Sequence, residues 1–212
     1  MKFTQIFWDN DGVLVDTERY YLQANREALA KLDITLSDEL FVEISLTRGK
    51  SLLELATAKG HTADTIEELK DWRNTRYAQL LDLEDMTLPG VRETLNTLHG
   101  RLKMAIVTSS AKSHFEIIHK RTDLLTFFDF CLTRGDYTNS KPSAEPYLLA
   151  LSRSGHEPHR SLVIEDSPRG LEAAKAAGLT CWVIPGQHTS DHEFKSADRI
   201  LSNVEELPKL LL

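Results

Sequence analysis

Phe7–Glu18 reads FWDNDGVLVDTE. It closes an apolar run, FTQIFW, with Asp9 and Asp11 two residues apart, and Asp16 and Glu18 follow. Carboxylates crowded at the end of a buried strand repel one another unless a cation stands among them. The run is the first of five. FTQIFW, LKMAIVTS, FFDFCLT, SLVIED and TCWVIP are short, β-branched or aromatic, and several are apolar on both faces. Strands of a sheet covered on both sides have that character. Between them, VRETLNTLHG, AKSHFEIIHKR, SAEPYLLALSRSG and SPRGLEAAKAAG read as helices. Gly100, Gly155 and Gly178 signal helix ends, and Ser113, Ser143 and Ser167 stand near helix starts. Strand alternating with helix predicts an α/β fold: a Rossmann-like, doubly wound parallel sheet.

The rhythm stops between about Thr17 and Leu88. ERYYLQANREALAKLD, SDELFVEISL, KSLLELATAKG and TIEELKDWRNTRYAQLLDL read as about four amphipathic helices, with no strand among them. The sheet resumes after the turn signal Leu88-Pro89-Gly90. The expected organisation is therefore a core of residues 1–16 and 88–212 with a helical module, 17–87, inserted after the first strand. The tail SNVEELPKLLL reads as a short terminal helix.

The totals narrow the function. The chain has 212 residues, and its formal net charge is −7. An acidic surface argues against a nucleic-acid partner and against docking on an anionic membrane. No apolar segment approaches the roughly 20 residues that span a bilayer. MKFTQIFWDN lacks an apolar core followed by a small-residue cleavage site. Cys131 and Cys181 lie in apolar runs without C-x-x-C spacing and read as buried thiols of a reducing compartment. The expectation is a cytoplasmic monomer with no nucleic-acid or membrane partner.

In open α/β sheets, ligands bind at the carboxyl ends of the strands. Asp9 and Asp11 end the first strand, Thr108-Ser109-Ser110 the second, and Glu165-Asp166 the fourth; Lys141 follows the third in NSKPS. A parallel sheet brings all four groups to one edge. Four carboxylates with a compact set of oxygens suit Mg²⁺. Thr108 and Ser109 offer a hydroxyl and backbone N–H groups at a helix start, a ready anion site. Lys141 adds a positive charge for the same anion and for a nearby carboxylate. Together they describe a site for phosphoryl transfer, with one carboxylate as nucleophile and another as general acid and base. Any one of these pieces is also an ordinary turn, cap or solvated charge. Their joint order, each at a strand end, favours the site.

These residues carry a resemblance. WDNDGVLVDTE resembles the first motif of the haloacid dehalogenase superfamily, D-x-D-G-[TV]-L-x-D-[ST]; AIVTSS resembles the second, SKPSAEPY the third and VIEDSPRGLEAAKAAG the fourth. The match covers essentially the whole chain, in the phosphatase-type branch with a helical cap after the first strand. The resemblance implies that Asp9 is the nucleophile, and that Asp11 protonates the leaving oxygen and then activates water. It implies that Asp9, the Asp11 carbonyl, Glu165 and Asp166 hold Mg²⁺, and that Thr108, Ser109 and Lys141 hold the phosphoryl group. The residues after Gly12 would form the cap hinge, whose closure excludes water.

DGVLVDTE and the Glu-Asp pair resemble β-phosphoglucomutase and its phosphatase relatives, which act on sugar phosphates and similar small metabolites. Arg48 and Arg73 fall near the positions of cap contacts to substrate; both also read as solvated helix charges. The mutases carry a histidine a few residues beyond the first motif, where this chain has Tyr21 preceded by Tyr20. That favours hydrolysis of a small phosphorylated metabolite over a mutase reaction. A 2-haloacid dehalogenase needs neither Asp11 nor a metal, and a non-catalytic protein on this scaffold would have lost a motif residue. Asn10 stands where the family often has an apolar residue, and is expected to point away from the chemistry. His114, His119, His188 and His192 read as surface or packing residues, Trp8 and Trp182 as core aromatics, and GQHTSDHEF as a polar loop; the place of Trp72 is left open.

Overall fold

The structure, a computed structural model, describes residues 2–186, 189 and 194–212. It contains two compact units, residues 1–16 with 85–212, and residues 17–84. The chain re-enters the first unit at Asp85 rather than Leu88 because its return is paired to the outgoing segment. The Asp16 N–H donates to the Met86 carbonyl, and Val15 bridges Thr87 in antiparallel register.

In the first unit the apolar runs become β1 (Gln5–Trp8), β2 (Lys103–Ala111), β3 (Phe130–Arg134), β4 (Ser161–Glu165) and β5 (Thr180–Val183). A sixth strand, β6 (Arg199–Ile200), is two exposed residues with no apolar signal of its own. It is placed by backbone bonds from Asp198 N to Cys181 O and from Leu201 N to Val183 O. All neighbours are parallel, in the order β3-β2-β1-β4-β5-β6.

Because strand side chains alternate, Phe7, Ala105, Val107, Val163 and Cys181 face one side, in a core with Tyr147, Ala150, Leu171 and Ala174. Ile6, Trp8, Met104, Ile106, Leu162 and Ile164 face the other and are fully buried as well. The helices of this unit are α5 (Val91–Leu98), α6 (Lys112–Thr122), α7 (Glu145–Ser154), α8 (Pro168–Ala176) and α9 (Leu207–Leu211). The step from β2 to β3 runs one way along the sheet and those from β3 to β4 and β4 to β5 the other. Right-handed crossovers therefore put α6 on one face and α7 and α8 on the opposite one.

The second unit contains α1 (Glu18–Ala30), α2 (Asp38–Phe41), a π-helical turn (Val42–Thr47), α3 (Glu54–Ala58) and α4 (Ala63–Leu81). The expected helix over 37–46 thus widens halfway, in a segment containing the β-branched Val42, Ile44 and Thr47. Ser37 and Thr62 cap α2 and α4 by accepting from the amides of Leu40 and Thr65. Leu22, Leu29, Phe41, Leu52, Ala56 and Leu69 form this unit's own core. Arg76 on α4 grips Glu27 on α1 with two hydrogen bonds, 2.7 and 3.2 Å. No described helix is long and apolar enough to cross a membrane.

Candidate active site

The strand order reverses between β1 and β4, the switch point where an open parallel sheet leaves a crevice at its carboxyl edge. Asp9 follows β1 there, and Glu165-Asp166 ends β4; the Asp9 amide donates to the Ile164 carbonyl across the pair. Past Asp9 the chain turns sharply. The Asn10 carbonyl accepts from the amides of Leu14 and Val15, at 2.8 and 3.1 Å, and Gly12 takes φ +83°. A Cβ at Gly12 would also collide with the Asp166 carboxylate, so glycine is required twice over.

Lys141 is the hub. Its Nζ donates to Asp9 Oδ1 at 2.6 Å, to Glu165 Oε1 at 2.6 Å and to the Val107 carbonyl at 2.8 Å. All three ammonium donors are engaged, so in this arrangement Lys141 orients the two carboxylates. Glu165 is fully buried. Its Oε1 also accepts from the Tyr147 hydroxyl at 2.7 Å, and its Oε2 accepts from Ser167 Oγ at 3.1 Å and the Asp166 amide at 3.3 Å. The start of α8 passes so close that a Cβ on Gly170 would overlap the Glu165 carboxylate.

Asp11 is held from another direction. Its Oδ2 accepts from Ser110 Oγ at 2.7 Å, Thr108 Oγ1 at 3.1 Å and Asn10 Nδ2 at 3.4 Å. Thr108–Ser110 occupy an irregular stretch of β2, where the four residue steps from Val107 to Ala111 span what two steps cover on β3, from Leu132 to Arg134. The expected helix start at Thr108 and Ser109 is therefore corrected. The Ala111–Arg134 pairing prolongs the strand and α6 begins only at Lys112. The Tyr137 hydroxyl donates to the Thr108 carbonyl at 2.7 Å. Ser109 Oγ is buried and has no hydrogen-bond partner among the described residues. A buried hydroxyl without a partner is costly unless a ligand completes it.

The electrostatics call for more positive charge. Burial drives the Asp9 pKa up to about 7; Lys141 opposes this, and Glu165 and Asp11 reinforce it. Burial disfavours the Lys141 charge, but Asp9 and Glu165 outweigh it and hold the lysine protonated. Carboxylate oxygens of Asp9, Glu165 and Asp166 lie within 4.8 Å of one another. An all-oxygen set of buried acids with one lysine for counter-charge fits a hard divalent cation.

Asp9, Asp11, Thr108, Ser109, Lys141, Glu165 and Asp166 all lie in the first unit, and Arg48 and Arg73 in the second. Arg48 is half exposed, 3.8 Å from both Glu43 and Glu54. Arg73 is buried, against the solvated reading. It donates to Tyr21 Oη at 2.9 Å, Asn25 Oδ1 at 3.1 Å and Asn74 Oδ1 at 3.0 Å.

Cys131 is only half-buried, unlike Cys181. His188, His192 and most of GQHTSDHEF lie outside the described residues. Trp8 and Trp182 are buried, as expected of core aromatics. Sequence reasoning placed Ser110 with Thr108 and Ser109 at the strand end without giving it a role, and missed Tyr147, Ser167 and His119 as parts of the site. Ser167 lies inside the quoted VIEDSPRGLEAAKAAG, where nearness to Glu165 was a signal, and Tyr147 closes the quoted SKPSAEPY, whereas His119 lies in none of the four motifs.

A family model described as haloacid dehalogenase-like hydrolase matches residues 6–184. Protein CbbY of Cereibacter sphaeroides is 30% identical over 216 residues, covering 95% of this chain and 93% of that protein. The phosphorylated carbohydrates phosphatase of Thermotoga maritima is 31% identical over 179 residues, covering 82% and 81%. A crystal structure of mutant CbbY from Rhodobacter sphaeroides with xylulose-(1,5)bisphosphate superposes with a TM-score of 0.83 at 27% identity, over 97% of this chain and 96% of that one. With a match running from β1 to beyond β5, through every residue of the switch-point cluster, the chain belongs to the haloacid dehalogenase-like hydrolases.

Proposed function

We propose that the protein is a Mg²⁺-dependent phosphatase of a small phosphorylated metabolite, of the sugar-phosphate class, working through an aspartyl-phosphate. The observation that carries it is the division between two carboxyls. Asp9 is buried against Lys141 beside Glu165 and Asp166, whereas Asp11 is fixed separately by Thr108 and Ser110. Carboxyls in environments this different take different roles. An Asp9 oxygen attacks phosphorus as the bond to the leaving oxygen breaks, and Asp11 gives that oxygen its proton. The Asp11 carboxylate then takes a proton from the water that attacks the aspartyl-phosphate, releasing phosphate and restoring Asp9. The open hydroxyl of Ser109 would donate to a phosphoryl oxygen. Lys141 keeps Asp9 aimed and adds positive charge beside the phosphoryl group. Asp9, the Asp11 carbonyl, Glu165 and Asp166 would hold Mg²⁺, which supplies charge neutralisation for the phosphoryl group.

Relatives named as phosphatases, and the phosphorylated sugar bound to the CbbY mutant, support the substrate class. Residues 17–84 would act as the cap, with Arg48 as its substrate contact. The Tyr21 hydroxyl accepts from Arg73 where a mutase would carry histidine, which supports hydrolysis over transfer. A panel of phosphorylated metabolites assayed with Mg²⁺ should show phosphate release from sugar phosphates that stops in EDTA and returns with Mg²⁺. Full activity in EDTA would overturn the metal assignment. Arg48→Ala should raise KM for the best substrate with kcat largely kept; an unchanged KM would remove Arg48 from the substrate site.

A further inference from the structure

Asn10, expected to point away from the chemistry, has its amide nitrogen 3.4 Å from Asp11 Oδ2. It is fully buried, and its Oδ1 lies 2.7 Å from His119 Nε2 on α6. His119 is buried too, with Nδ1 2.8 Å from Thr122 Oγ1 and its ring against Phe115 at 4.4 Å between centroids. The donors in this chain can be assigned. Asp11 Oδ2 accepts from the Thr108 and Ser110 hydroxyls and so carries no proton of its own, so the Asn10 amide nitrogen must face it and the Asn10 Oδ1 must face His119. Oδ1 only accepts, so His119 carries its proton on Nε2 and leaves Nδ1 as an acceptor. Thr122 Oγ1 already accepts from the Leu124 amide at 3.4 Å, so its own hydrogen is available for Nδ1. A chain of this kind needs a neutral ring, and burial holds the His119 pKa down at about 4.

We propose that Asn10 and His119 are positioning residues for Asp11. A one-directional chain, Thr122 to His119 to Asn10 to Asp11, ties α6 to the catalytic turn and, with Thr108 and Ser110, fixes the orientation of the Asp11 carboxyl. Oδ2 is then held by three donors, which fixes the orientation in which the carboxyl exchanges a proton with the leaving oxygen. This rests on the phosphatase reading, in which Asp11 is the general acid.

General-acid catalysis matters most when the leaving group is a poor one. Asn10→Leu, which removes both ends of the link, should therefore lower kcat on an alkyl phosphate about tenfold more than on p-nitrophenyl phosphate, with KM little changed. Thr122→Val, which removes only the distant hydroxyl, should give the same bias in weaker form. His119→Gln, which restores a donor to Asn10, should keep kcat near wild type. Equal losses on both esters would overturn the positioning role. Nitrogen-15 NMR of the histidine ring in the wild-type protein should show a neutral Nε2–H tautomer at neutral pH; an Nδ1–H tautomer or a charged ring would overturn the chain itself. A wild-type protein inert on both esters would overturn the phosphatase reading and the catalytic role together, and the ring tautomer would then decide the chain alone.

Discussion

Two lysine–carboxylate contacts lie at opposite edges of the same sheet. Lys103, at the start of β2, reaches Asp129 Oδ1 at 2.9 Å, with side-chain exposures of 63% and 42%. Lys141, at the carboxyl edge, reaches Asp9 and Glu165 at 2.6 Å, and its side chain is 4% exposed. The lengths are similar and the surroundings are not. Water screens the first pair and makes it nearly dispensable. The second is shut away with more acid than base, so every group in it depends on the others. Proximity of opposite charges does not mark a site; burial with an imbalance of charge does.

The largest expected effect is at the centre of the buried cluster. Asp9→Asn keeps the shape and removes the proposed nucleophile, and should lower phosphate release by about 10⁴-fold or more. Activity within tenfold of wild type would return Asp9 to a structural role. Lys141→Met comes next. It leaves Asp9 and Glu165 facing each other without a cation, and should destabilise the metal-free protein by about 3–5 kcal/mol in denaturant titrations. Lys103→Ala should cost less than about 1 kcal/mol in the same titration. Equal losses from the two lysines would remove the contrast.

The pH dependence sharpens it further. Unfolded His119 binds a proton below its ordinary 6.5, whereas folded His119 stays neutral down to about 4. Its contribution to stability is therefore complete above pH 6.5 and falls away between 6.5 and 4, by on the order of 3 kcal/mol at most. Asp9 acts in the opposite sense: its pKa, raised from 3.8 to about 7, makes the folded metal-free state bind the extra proton, so its contribution is lost as pH rises from 3.8 to about 7. Measured as wild type minus His119→Gln, the stability difference cancels Asp9 and should shrink as pH drops below 6.5. A flat difference would mean that His119 takes up its proton at the same pH folded as unfolded.

Much of this site was legible because its carboxylates stand at the ends of apolar runs. Asp9 after FTQIFW and Glu165 in SLVIED are visible as charges where a buried strand stops. What was not legible depends on pairings across long stretches of chain. Asn10 and His119 are 109 residues apart, and nothing in AKSHFEIIHKR sets His119 apart from His114. The Thr108 hydroxyl looked like an anion ligand, but it donates to Asp11, and it is the Ser109 hydroxyl that is buried without a partner among the described residues. Arg73 looked like a surface charge because a helical pattern does not show which cations a neighbouring helix will cover.

By itself, the sequence determined the alternation of strands and helices, the helical insertion, and the set of residues at the strand ends. Apolar periodicity and turn chemistry are local, and hydrophobic burial acts on them directly. Only the tertiary structure decided which hydroxyl meets which carboxylate, where the lysine directs its three donors, and that Asn10 faces a buried histidine. Those outcomes depend on the β3-β2-β1-β4 order and on an irregular stretch of β2, which place groups from distant segments within hydrogen-bonding distance.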